Sequence, residues 1–99
     1  MERFTVDFYR EEDGTKPVGQ FIRTLPIRMK AKVIGDLHLL EEYGNLAREP
    51  LSKHLEDGIF ELRSIMGTDI VLILYFFEGN RIIIKTSLLH IRRNPISFR

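Results

Sequence analysis

The feature that most constrains this chain is a pair of strand-forming runs joined by a short turn. Gly58-Ile59-Phe60-Glu61-Leu62-Arg63-Ser64 alternates apolar and charged residues from Ile59 to Arg63. That period of two marks a strand with one face exposed. Asp69-Ile70-Val71-Leu72-Ile73-Leu74-Tyr75-Phe76-Phe77-Glu78 is β-branched, aliphatic or aromatic almost without a break, which predicts a central strand buried on both faces. Met66-Gly67-Thr68-Asp69 supplies the turn between them. A third run, Arg81-Ile82-Ile83-Ile84-Lys85, follows a turn at Glu78-Gly79-Asn80. Three strands joined by tight turns make an antiparallel meander, and any activity is expected on its exposed face.

The rest of the chain must cover the other face. Phe4-Thr5-Val6-Asp7-Phe8-Tyr9 alternates as a further strand, with Phe4, Val6 and Phe8 on one side. Glu11-Glu12-Asp13-Gly14 reads as a loop. Thr15-Lys16-Pro17 reads as a helix start, because proline is tolerated in the first turn. Val18, Phe21, Ile22 and Leu25 form the apolar stripe of that short helix. A longer helix runs from Pro26 to Tyr43, with Met29, Val33, Leu37 and Leu40 on one stripe, Lys30, Lys32, Asp36, Glu41 and Glu42 off it, and Gly44-Asn45 as C-cap. Residues 45–57 read as a connector. The predicted class is α+β: an N-terminal strand, a two-helix hairpin, then the three-stranded meander. The first strand is distant in sequence from the meander and is expected at an edge of a four-stranded sheet.

Ninety-nine residues with 43% hydrophobic content fit one globular domain over residues 1–99, with residues 86–99 as a basic tail. There is no cysteine, which removes disulfides and thiolate metal sites. No charged leader followed by an apolar block opens the chain, so no signal peptide is expected. The longest apolar run, Ile70 to Phe77, is too short to span a membrane as a helix. Together these suggest a cytoplasmic protein without membrane contact. Net charge is only +1, but its distribution is uneven. Glu78 is the last acidic residue; Arg81, Lys85, His90, Arg92, Arg93 and Arg99 follow it. A basic C-terminal fifth on a near-neutral chain suits a polyanion, or is a solvated tail.

Several chemistries lack their motifs. There is no Gly-rich phosphate loop and no HExxH. His38, His54 and His90 have no ligand-like spacing, and His38 lies off the apolar stripe, where a surface position is expected. No metal or other cofactor is expected. What remains is a set of basic and aromatic residues on or beside the sheet: Lys53, His54, Arg63, Tyr75, Lys85, His90, Arg92 and Arg93. Cleaving RNA by attack of its own 2′-hydroxyl needs a base, cations for the charged transition state and an acid for the leaving oxygen. Such residues can fill those needs. Arg63 could equally pair with Glu61, and Tyr75 could be half-buried packing.

Longer stretches carry a resemblance. These are Pro17-Val18-Gly19-Gln20-Phe21-Ile22, Leu25-Pro26, Leu39-Leu40-Glu41-Glu42-Tyr43-Gly44, Arg48-Glu49-Pro50-Leu51-Ser52-Lys53-His54-Leu55, Gly58-Ile59-Phe60-Glu61-Leu62-Arg63 and Ile73-Leu74-Tyr75-Phe76-Phe77. In them the chain resembles the phage-derived Gp49-like, HigB-type branch of the RelE/ParE toxin superfamily. The resemblance implies a RelE/ParE-like fold and a cytoplasmic toxin of a type II toxin–antitoxin pair. It implies metal-independent, ribosome-dependent mRNA cleavage. It also implies neutralisation by a cognate helix-turn-helix, HigA-like antitoxin, with DNA contacted only through that complex. On this reading the catalytic set is Arg63, Lys53, Tyr75 and His90, and Lys85, Arg81, Arg92, Arg93 and His54 add RNA binding.

The chain departs from the family pattern twice. Members usually carry an arginine three residues before the Tyr-Phe pair, where this chain has Leu72. A turn centred on Gly67-Thr68 sets Leu72 opposite Arg63, and leucine cannot hold a phosphate. In the tail, Leu88-Leu89-His90 could match the family's end of strand, or Arg92-Arg93-Asn94-Pro95 its Lys-rich segment to proline, but the spacing does not let both match, and the C-terminal helix is expected to be missing or degenerate under either alignment. Both departures point to an attenuated or damaged copy. The rival expectation is a non-catalytic interaction protein that still binds an antitoxin. Loss of a covering helix would expose apolar residues such as Ile83 or Leu89 and favour self-association.

Overall fold

The computed structural model describes the backbone of residues 3–92 and the side chains of residues 3–87. Its elements are β1 (Thr5–Phe8), α1 (Pro17–Arg23), α2 (Ile27–Tyr43), a 3-10 turn (Gly44–Leu46), β2 (Ser52–Glu56), β3 (Ile59–Met66), β4 (Asp69–Glu78) and β5 (Arg81–Arg92). The class is α+β, as the sequence predicts. The strands form one five-stranded sheet in the order β1-β5-β4-β3-β2. β2 to β5 are antiparallel neighbours, and β1 adds parallel to β5 at the edge.

The fifth strand corrects the expectation of a connector over residues 45–57. β2 pairs with β3 through Ser52↔Leu62, Lys53↔Glu61 and His54↔Phe60, with a bulge at Leu55. The turn between them is Asp57-Gly58, with φ of 52° and 77°. Two positive-φ residues in a two-residue loop match the right-handed twist of the flanking strands, and Asp-Gly is a favoured pair for it. The third meander strand is also longer than Arg81–Lys85. It runs to Arg92, and its pairing with β4 is interrupted by two register shifts.

One face of the sheet is covered. Val18, Ile22 and Leu25 from the first helix and its exit pack with Met29, Val33, Leu37 and Leu40 of α2. Against them lie Leu62, Val71, Ile73, Tyr75, Ile82 and Ile84, the alternate residues of β3, β4 and β5. Burial of each large aliphatic side chain contributes about 1.5–3 kcal/mol relative to exposure, so this layer is the main source of stability. The expected helical stripes are buried except for Phe21, which is half-buried. Asp36, expected off the stripe, is buried as well; its carboxylate meets Lys32 Nζ at 3.2 Å.

β4 is not buried on both faces. Val71, Ile73 and Tyr75 are buried, whereas Ile70, Leu72, Leu74 and Phe76 are only half-buried. Two helices with a combined length suited to one side of a sheet cover one side. The other face carries these half-buried residues and, from β3, Glu61 and Arg63.

The two sheet edges differ. At β1, the Val6 backbone N–H donates to Glu41 Oε2 of α2 at 2.7 Å, which caps a group that pairing with β5 leaves free. Phe4 packs where α2 ends at Gly44, whose φ of 54° and ψ of −128° only glycine adopts readily. No helix among the described residues is long and apolar enough to cross a membrane.

Candidate functional site

The site is built by strand register. Residues directly opposite on neighbouring strands share a face. Lys53 of β2 is opposite Glu61 of β3, Glu61 is opposite Leu74 of β4, and Leu74 is opposite Thr86 of β5. This row crosses the open face. The next row along holds Arg63 of β3 opposite Leu72 of β4. Neighbouring strands lie about 4.8 Å apart, so β3 and β5 are about 10 Å apart across β4. An apolar floor of Leu72 and Leu74 therefore lies between cations on either side.

On the β2–β3 side those cations are Lys53, which is exposed, and Arg63, whose side chain is 37% exposed. Arg63 Nε lies 3.5 Å from Glu61 Oε1, an ion-pair distance without hydrogen-bond alignment. Glu61 is only 13% exposed. On the β5 side is Lys85, at the register shift between the Tyr75 and Leu74 pairings. Its ammonium sits 3.7 Å from the centre of the Tyr9 ring, where the ring quadrupole attracts it. The extra residue in β5 thus turns Lys85 toward the β1 edge.

Arg81 lies at the far end of the same face and is spent locally. It bonds Asp7 Oδ2 at 2.5 Å and Glu78 Oε1 at 2.7 Å. The Arg81 hydrogen bond holds the Asp7 carboxyl below the usual carboxylate range, and the same bond pushes Arg81 up. An arginine with both forks engaged by carboxylates has little left for a phosphate.

Two nominated residues face the other way. Tyr75 is 1% exposed on the helix-covered face. Its hydroxyl is hydrogen-bonded to Ser52 Oγ. Burial raises its phenol above the ordinary value of 10.0, partly offset by the Ser52 bond. The ring stacks on Phe60 with centroids 5.4 Å apart. Tyr75 is therefore a core residue in this structure, because its place in the β4 alternation matches Val71 and Ile73 and not Leu72 and Leu74. His54 packs on the other side of Phe60, 4.9 Å between centroids, at the outer strand and away from Arg63. A cleft of about 440 Å³ beside it is lined by Asn45, Arg48, Glu49, Ser52 and Lys53 among others.

His90 and Arg92 lie on β5 with backbones opposite Val71 and Asp69, and their side chains are outside the described residues, as is all of Arg93. The structure thus brings Lys53, Arg63 and Lys85 onto one face and sets Tyr75 and His54 on the other. Glu61 is not among the residues that the sequence singles out, although the β3 alternation and the Asp57-Gly58 turn together place it opposite Lys53 and beside Arg63. Among the described residues no three His, Asp or Glu side chains gather where a metal could be held.

A protein-family model described as phage derived protein Gp49-like (DUF891) matches residues 20–91, well over half of the chain. The matched span takes in α2, β2, β3, β4 and nearly all of β5. No curated protein matches the chain.

Proposed function

The chain belongs to the Gp49-like family of phage-derived proteins, and on that premise we propose that it is the toxin of a type II toxin–antitoxin pair, with a RelE/ParE-like fold. It acts in the cytoplasm as a ribosome-dependent mRNA endonuclease that needs no metal. A helix-turn-helix antitoxin neutralises it, and the pair contacts DNA through that partner. The observation that carries this reading is the shared face of Lys53, Arg63 and Lys85, which no helix among the described residues covers.

Arg63 holds a non-bridging oxygen of the scissile phosphate, and Lys53 and Lys85 steer the backbone on either side of the Leu72–Leu74 floor. Guanidinium and ammonium groups stabilise the charge that grows on phosphorus in the transition state. Leu72 opposite Arg63 leaves the phosphate one arginine short of the family pattern, so activity is attenuated.

The same leucine favours a second reading, a non-catalytic member that binds its antitoxin and cuts nothing. Induction in a bacterial host, with and without Leu72→Arg, separates the two. Growth arrest with mRNA cleavage by both proteins supports an attenuated toxin. Arrest by the arginine variant alone supports an inactive toxin fold. Intact growth and mRNA with both removes the nuclease reading.

A further inference from the structure

We infer that Glu61 is the general base of the proposed RNA cleavage, the group that takes the proton from the attacking 2′-hydroxyl. The inference rests on the nuclease reading above and adds to it a residue in a stated role.

The argument starts from what the open face offers. Cleavage by the 2′-hydroxyl needs a proton acceptor within about 3 Å of that oxygen, while a cation holds the adjacent phosphate. Tyr75 cannot serve from the covered face, with its hydroxyl bonded to Ser52. His54 packs against Phe60 on that same side, with the rings tilted by 53°. Asp7 and Glu78 are on the β1 end of the molecule and both are engaged by Arg81. Glu61 is the carboxylate that shares a strand and a face with Arg63, two residues away, and it stands directly opposite Lys53. Same-face residues two apart on a strand are about 7 Å apart at the backbone. That spacing lets the Arg63 side chain reach a phosphate oxygen while the Glu61 carboxylate reaches the neighbouring ribose.

Its surroundings suit the task. Glu61 is mostly shielded from solvent, at 13% exposed. It lies between Leu74 on one flank and Lys53 on the other. Arg63 Nε stands at ion-pair distance without forming an aligned hydrogen bond, so the carboxylate keeps lone pairs for a substrate hydroxyl.

The step balances as follows. The ionised Glu61 carboxylate accepts the proton of the 2′-hydroxyl, and the 2′-oxygen forms a bond to phosphorus. The bond from phosphorus to the 5′-oxygen of the next nucleotide breaks. Lys53, opposite Glu61, gives a proton to that departing oxygen. The products are a 2′,3′-cyclic phosphate and a free 5′-hydroxyl, and proton transfer from Glu61 to Lys53 through solvent restores the starting state.

The test compares the wild-type chain with Glu61→Gln and Glu61→Asp in single-turnover cleavage of ribosome-bound mRNA across pH, each also in a Leu72→Arg background. Binding is read separately with a 2′-deoxy version of the same message, which lacks the nucleophile. The expected result is a rate that rises about tenfold per pH unit on the acid side and then levels off. Glu61→Gln should lower the plateau by about 10²–10⁴-fold and remove the acid limb, with 2′-deoxy binding unchanged. Glu61→Asp should keep the limb at a reduced rate. If Glu61→Gln cleaves as the wild type does, or keeps the acid limb while weakening binding, Glu61 merely positions Arg63 and the inference is overturned while the nuclease reading stands. If neither the wild type nor Leu72→Arg cleaves, the nuclease reading itself fails and takes the inference with it.

Discussion

Arg63 of β3 and Leu72 of β4 stand directly opposite each other on the uncovered face of the sheet. An arginine at 72 would place two guanidinium groups on neighbouring strands, about 5 Å apart at the backbone. Without a ligand, like charges set opposite each other destabilise by about 0.2–1 kcal/mol. A phosphate between them reverses that sign. Leu72→Arg is therefore expected to lower the urea midpoint slightly and to tighten binding of single-stranded RNA at low salt. The slope of log K against log salt should steepen by about 0.7 for the added phosphate contact. Arg63→Ala should make the slope shallower by about the same amount. Unchanged slopes in both variants would mean that this face does not touch phosphate.

Tyr75 gives a pH prediction that separates core from site. Its phenol is raised above 10.0 because burial disfavours the charged form. The unfolded chain ionises first as pH rises. The stability tied to the neutral phenol is therefore fully present below about pH 10 and is lost as pH climbs through the higher folded value. Denaturant titration at alkaline pH should show this loss in the wild type and a smaller one in Tyr75→Phe. At neutral pH the same substitution should reduce stability by about 1–3 kcal/mol, since the buried Ser52 hydroxyl loses its partner. RNA binding should be unaffected.

The β1 edge depends on one carboxylate. Glu41→Ala leaves the Val6 N–H without its acceptor and is expected to reduce stability by about 1–3 kcal/mol. Hydrogen exchange should quicken at Val6 before it does in β3 or β4, because only the edge strand loses a bond. Glu41→Gln, which keeps an acceptor oxygen, should fall between the two. Equal exchange at Val6 in all three proteins would show that α2 does not secure this edge.

Gly44 ends α2 in a backbone conformation that a side chain strains, and a Cβ there would run into the Phe4 ring. Gly44→Ala should reduce stability by about 1–3 kcal/mol from backbone strain alone. Adding Phe4→Ala to Gly44→Ala should recover only the steric part. Complete recovery in the double variant would show that the backbone conformation itself costs nothing.

The meander was legible because its signals are local. Gly67-Thr68 and Gly79-Asn80 fall between runs of unmistakable strand character, and the register puts Arg63 opposite Leu72 as the turn implies. The helical stripe of Met29, Val33, Leu37 and Leu40 was equally plain. β2 was missed because Ser52-Lys53-His54-Leu55-Glu56 is polar and mostly exposed, as an edge strand often is. Asp57-Gly58 was the overlooked signal. The face that Tyr75 takes is not legible in the sequence for a different reason. A run apolar at every position hides which alternate residues face the helices, and only the pairing of β4 with β3 and β5 resolves that. The burial of Asp36 in α2 depends on tertiary packing that no pattern within the helix reports.

The measurement that bears most directly on the central claim is mapping of mRNA ends on ribosomes incubated with the purified protein, its Arg63→Ala variant and its Leu72→Arg variant. The account predicts new ends with the wild type, more with Leu72→Arg and about a hundredfold fewer with Arg63→Ala. Three profiles indistinguishable from ribosomes alone would contradict it.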